Sequence, residues 1–150
     1  MNNVILVDTR EKGNKSILEY FDSIGQEYII TKLDSADYMY YKDYSVLIDK
    51  KQNLLELAGN LCKTAEHFRI NREIERAREK GCKRFIFLIA ESKITCVDEV
   101  ENWTNKYSRV KGITLMKIMK TMQERYAVEF IFCKKLSMGK KIIELLNTPI

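Results

Sequence analysis

Phe85-Ile86-Phe87-Leu88-Ile89 is the stretch on which the fold turns. Its residues are all apolar, aromatic or branched, and uninterrupted, which predicts a central β-strand covered on both faces. Upstream of it, helical sequence runs from about residue 53 to 80, with Gly59 as the expected break and Gly81 as the stop. Downstream, the spacing predicts helices over 97–106 and 114–125, a strand over 128–132 and a last helix over 137–146. Toward the N-terminus, residues 4–7 read as a buried strand ending at Asp8, and 16–21 as a helix that Gly25 can cap. Residues 28–33 are strand-like, and 38–41 with 44–48 read as a hairpin turning at Lys42-Asp43. Strands alternating with helices predict an α/β domain in three layers, with a mixed central sheet whose antiparallel part is the hairpin.

The 150 residues are the size of one domain, and a hydrophobic share of 45% is enough for a sizeable core, so residues 1–150 are read as a single domain. The net charge of +5 and pI near 8.9 favour a polyanionic partner. No apolar run is long enough for a membrane span, and the start Met1-Asn2-Asn3-Val4 lacks the basic region of a signal peptide. Cys62, Cys82, Cys96 and Cys133 lie far apart without a CxxC pair, which suits neither a disulfide framework nor zinc. A soluble, cytoplasmic protein is expected. His67, the single histidine, reads as a helix-surface residue, so Ser-His and Cys-His catalysis have little to build on. Phosphate-binding glycine loops are absent. Carboxylate chemistry with a hard metal ion remains.

Asp8 closes the first strand, where ligands gather in open α/β sheets, although a loop-starting aspartate can also simply cap nearby amides. In a hairpin turning at Lys42-Asp43, Asp37 lies opposite Asp49, about 5 Å away. Lys51, two residues beyond Asp49, points to the same face. Paired carboxylates can share magnesium, and a lysine beside them can steer water or stabilise charge on a phosphoryl oxygen. A solvated hairpin rim is the competing reading.

Val7-Asp8-Thr9-Arg10-Glu11 resembles the VDxRE opening of the XPF-type structure-specific DNA endonucleases. Ala36-Asp37-Tyr38 followed by Ile48-Asp49-Lys50-Lys51 resembles that family's GDY and VERK motif, which has the D…(D/E)xK order of the PD-(D/E)XK nucleases. Phe87-Leu88-Ile89-Ala90-Glu91 is similar to its later LLIE strand. The resemblance covers about residues 4–132 and implies a restriction-endonuclease-like fold. It also implies endonucleolytic DNA hydrolysis with Mg2+ or Mn2+, in repair, recombination or, in a minimal stand-alone form, phage replication. Asp8, Asp37 and Asp49 would then ligate metal, Lys51 would orient water or stabilise the transition state, and Arg10 and Glu11 would sit beside the phosphate. Glu91 would be a supporting acid.

The departures are Ala36 for glycine, Asp49 for glutamate, Lys50 for arginine, and Leu55 where an aspartate is expected; Glu56 is one residue further on and is the expected substitute. Family members often carry a tandem helix-hairpin-helix module after the nuclease domain. None occurs in these residues, so DNA affinity is expected from the domain surface, a homodimer or a heterodimeric partner. Arg69, Arg72, Arg76 and Lys80 form a basic stripe along one helix and are the expected DNA contacts, against Glu66, Glu73 and Glu79 interleaved as on a solvated face. The expected DNA is branched or has single-strand/duplex junctions, on which Tyr38, Tyr40 and Tyr41 are candidate stacking residues. Leu115, Met116, Met119 and Met122 read as core or dimer surface, as do Ile142, Ile143, Leu145 and Leu146, and Trp103 as a partly buried helix residue. A catalytically inert DNA- or partner-binding subunit is the rival reading. A receiver-like signalling domain fits the DxK hairpin poorly.

Overall fold

The computed structural model describes residues 3–148, so Pro149 lies outside the described residues. In chain order the elements are β1 (Ile5–Asp8), α1 (Lys15–Ser23), β2 (Tyr28–Thr31), β3 (Tyr38–Tyr40), β4 (Asp43–Lys51), α2 (Leu54–Leu61) and α3 (Thr64–Glu79). Then follow β5 (Arg84–Ala90), a 3-10 turn (Val97–Asn102), α4 (Gly112–Tyr126), β6 (Glu129–Cys133) and α5 (Met138–Asn147). The strands form one six-stranded sheet in the order β2-β1-β3-β4-β5-β6. β1–β2, β4–β5 and β5–β6 are parallel; β3 runs antiparallel to both its neighbours.

Period-2 alternation in β5 explains the three layers. Phe85, Phe87 and Ile89 pack with α2, α3 and α4, while Ile86 and Leu88 pack on the other face with α1 and α5. Every one of these side chains is fully buried, as expected for a strand covered on both faces. Leu115, Met116, Met119 and Met122 are core on the first face; Ile142, Leu145 and Leu146 complete the second. Gly112 starts α4 where an added Cβ would lie 2.3 Å from the Val100 carbonyl oxygen, so only glycine allows this close approach to the 3-10 turn.

The boundaries differ from expectation in three places. Gly59 sits inside α2, and the break falls at Cys62-Lys63. The apolar phase explains it: Leu54, Leu57 and Leu61 lie on one helical face, and in a continuous helix Ile70, Ile74 and Ala77 would lie on the opposite one. Breaking the chain turns both sets toward the same core. The hairpin turns at Tyr41-Lys42, with Lys42 left-handed at φ 60°, and Tyr40 pairs with Asp43. A register shift between Tyr40 and Tyr38 then restores the Tyr38–Ile48 pairing. The expected helix over 97–106 is only a 3-10 turn, and Trp103 beyond it is buried in the core.

Candidate active site

Asp8 at the end of β1, Asp37 at the entry to β3 and Asp49 near the end of β4 meet at one edge because β3 runs antiparallel between the other two strands. The backbone fixes this: the Asp8 N–H donates to the Asp37 carbonyl, and the Asp37 N–H to the Ile48 carbonyl, both at 2.9 Å. A cleft of about 380 Å³ opens there, lined by all three acids with Arg10, Lys51 and Glu73.

Asp49 and Lys51 point to the same face, as period 2 requires, with Oδ1 to Nζ at 3.4 Å. The Lys51 ammonium also donates to Asn60 Oδ1 of α2 at 2.8 Å. Burial pulls the Lys51 pKa down, but Asp49, Glu56 and Asp37 together hold it above its ordinary value, so the side chain is a fixed cation. Asp37 Oδ2 accepts the Lys50 N–H at 2.9 Å. Its pKa is pushed well up by burial first, then by the charges of Asp49 and Glu11. Asp8 is buried, and both its oxygens are engaged: Oδ1 accepts from the Leu33 N–H at 2.9 Å, Oδ2 from Arg10 Nε at 3.0 Å.

The remaining expected residues divide. Arg10 is 66% exposed in its side chain, and its other arm donates to the Leu33 carbonyl at 3.0 Å. Glu11 lines the cleft, with its side chain largely covered and paired with Lys50, 3.2 Å away. Burial raises the Glu11 pKa, against the attraction of Lys50. Lys50 also donates to the Lys12 and Gly13 carbonyls, so it pins the loop after β1 to β4. Glu56 lines the cleft, with its backbone N–H capped by Asn53 at 2.9 Å. Glu91 does not line the cleft: it accepts the Leu54 N–H at 2.8 Å and caps α2 from outside.

On α3, Arg69 lines the cleft and pairs with Glu66, while Arg72 lies over the Phe68 ring at 5.9 Å. Lys80 pairs with Asp34 and sits 5.5 Å from the Tyr44 ring centroid, and Arg76 acts electrostatically on the same Asp34. Tyr38 and Tyr40 are buried and so do not present stacking faces; Tyr41 is exposed. His67 is half-buried and bonds the Leu61 carbonyl through Nδ1 at 2.9 Å, tying α3 to the end of α2 rather than lying free on the surface.

Glu73 and Asn60 are cleft residues that the sequence reading did not assign to the site. Glu73, counted there among interleaved surface acids, is half-buried and accepts the Ala36 N–H at 2.7 Å, where Ala36 holds φ 63°. Burial, then Asp49, raises its pKa. Its four-residue step from Arg69 was the available signal, since both then face one way. Asn60 carried no motif at all.

The donor set is the right kind for a hard divalent cation: carboxylate oxygens, with a concentration of negative charge at Asp37 that such an ion would relieve. Among the described residues, however, no three acids stand close enough to hold an ion together. Both oxygens of Asp8 are engaged instead, by Arg10 and the Leu33 N–H. Nor, among the described residues, is any helix long and apolar enough to cross a membrane.

Residues 7–146 match the ERCC4 domain. Solved structures of the same fold include XPF from Aeropyrum pernix, 17% identical with TM-score 0.70, covering 95% of this chain and 63% of that one. XPF from Aeropyrum pernix in complex with DNA is 16% identical with TM-score 0.66, covering 97% of this chain and 64% of that one. The chain therefore spans less than two thirds of the length of either. No curated protein matches it.

Proposed function

The chain belongs to the ERCC4 domain family, and from that premise we propose that it is a metal-dependent DNA endonuclease cutting at junctions between single and double strands. The observation that carries this reading is the meeting of Asp37, Asp49 and the fixed Lys51 cation in one cleft at a sheet edge. Arg10 and Lys51 answer Asp8 and Asp49, but burial and the charges of Asp49 and Glu11 still penalise the Asp37 carboxylate, and a bound cation would relieve that penalty.

In this reading Asp37 and Asp49, with Asp8, hold Mg2+ or Mn2+, which when bound supplies Lewis-acid polarisation of the scissile phosphate. Lys51 is held by Asn60 and Asp49, so its ammonium stays in place to orient water or stabilise charge developing on a phosphoryl oxygen. Arg10, anchored through Asp8 but largely exposed, engages the phosphate. Arg69, Arg72, Arg76 and Lys80 follow the strand backbone. Glu11 with Lys50 keeps the Asp8–Arg10 loop seated.

The test is cleavage of labelled flap, fork, four-way-junction, single-stranded and duplex DNA with Mg2+, Mn2+ or EDTA. Metal-dependent cutting lost in Asp37→Asn and Lys51→Ala is expected. A folded wild type that binds DNA but cuts none of these substrates would replace this reading with the inert subunit. The engagement of both Asp8 oxygens is the observation that favours that second reading.

A further inference from the structure

Between α3 and α4 lies a groove of about 790 Å³, against about 380 Å³ for the carboxylate cleft. Its floor is apolar, from Leu61, Val110 and Ile118, and Arg109 and Lys111 stand at its rim. A smaller hollow of about 250 Å³ continues it past Ile118 and adds Lys117 and Arg125. Among the described residues no carboxylate lines either hollow. Among the described residues these four cations form no salt bridge.

Phe68 lies in this groove with 62% of its surface exposed and the Arg72 guanidinium over its ring. Beside it the amide oxygen of Asn71 is buried and, among the described residues, has no hydrogen-bond partner. A nucleotide matches these features together: a flat face for the ring, an N–H on the base edge for the Asn71 acceptor, and an anion for the rim. An apolar peptide would leave the cations unanswered. The position agrees, because Asn60 and Arg69 line the cleft while their neighbours Leu61 and Phe68 line the groove. The α2–α3 corner is thus the shared wall, and the two hollows are about one helix diameter apart, ~10 Å.

We propose that this groove holds an unpaired nucleotide of the DNA arm next to the cut site, its base stacked on Phe68 and its phosphates met by Arg109 and Lys111. The inference rests on the nuclease reading and names which part of the substrate confers preference. Phe68 is the base platform; the unpaired arm is what distinguishes a junction from plain duplex.

The experiment compares binding of a duplex carrying a single-stranded tail with binding of the same duplex blunt-ended, in EDTA, by fluorescence anisotropy. Wild type is expected to prefer the tailed duplex. In Phe68→Ala and Phe68→Leu that preference should fall about tenfold, and Phe68→Trp should restore it, because stacking needs a π-face and not merely an apolar one. Arg109→Gln should lower the slope of log affinity against log salt by about one. Equal binding of tailed and blunt duplex by wild type would overturn the groove proposal while leaving the nuclease reading standing. So would a Leu variant as good as wild type, which would indicate a protein partner, or a dimer that Phe68→Ala dissociates. Absence of binding to any DNA would overturn both.

Discussion

The two hollows on either side of the α2–α3 corner are built from the same helix and have opposite chemistry. One is half the size, lined by acids with Lys51 and Arg10 among them, and its floor is a sheet edge. The other is larger and has an apolar floor, its charged lining among the described residues is cationic, and it sits between helices. A helix turns ~100° per residue, so Arg69 and Glu73 face the acids while Phe68 and Asn71 face the groove. The difference teaches that size does not locate chemistry here. The proposed reactive place is where antiparallel β3 brings three carboxylates to one edge, and the proposed recognition surface is the larger hollow between helices.

The comparison can be broken first at the acids. Asp37→Asn and Lys51→Ala should each lower cleavage at least about a hundredfold, the scale of losing one placed charge-stabilising group. The same Asp37→Asn should raise the melting temperature in EDTA, since asparagine can still accept the Lys50 N–H while the repulsion from Asp49 and Glu11 disappears. A lower melting temperature would mean the cleft stores no like-charge strain.

Glu73 sharpens the boundary between the regions. Glu73→Ala leaves the Ala36 N–H without its acceptor and should destabilise by ~1–3 kcal/mol in urea unfolding, whereas Glu73→Gln keeps the bond. The pH dependence follows from the raised pKa of Glu73. Between its ordinary value and its raised folded value the folded state binds the extra proton, so this residue's contribution to stability falls as pH rises through that window. The difference between wild type and Glu73→Gln should show that slope, and a flat difference would contradict it.

The smallest effect is expected outside both hollows. Glu91→Ala removes the acceptor for the Leu54 N–H at the start of α2 and should cost about 1 kcal/mol, with a melting shift of roughly 2–4 °C. Cleavage should follow stability only. A large fall in turnover at full folding would return Glu91 to the chemistry.

Much of the fold was legible because β5 and the strands around it carry local patterns. The unbroken aromatic and branched run Phe85–Ile89 pointed to a doubly covered strand, and Asp8, Asp37 and Asp49 fell at or beside the ends of expected strands. The pairing of Tyr38 with Ile48 was anticipated from the wrong turn, since the turn moved by one residue and the irregularity in the hairpin compensated. The helix break was legible too, in the phase jump from Leu61 to Ile70, but a glycine drew attention to the wrong place. A mid-helix glycine costs only about 1 kcal/mol, less than burying Leu54, Leu57 and Leu61 supplies.

The sequence alone determined which residues alternate, which stripes are apolar and which acids sit at strand ends, because these depend on the local periods of strand and helix. Tertiary structure alone decided which charges and polar groups far apart along the chain meet. Glu73 became a cleft residue, Glu11 a buried anchor and Glu91 a helix cap through contacts 37, 39 and 37 positions along the chain, from Ala36 to Glu73, Glu11 to Lys50 and Leu54 to Glu91. Electrostatic partnership depends on distance in space, and no local period encodes that.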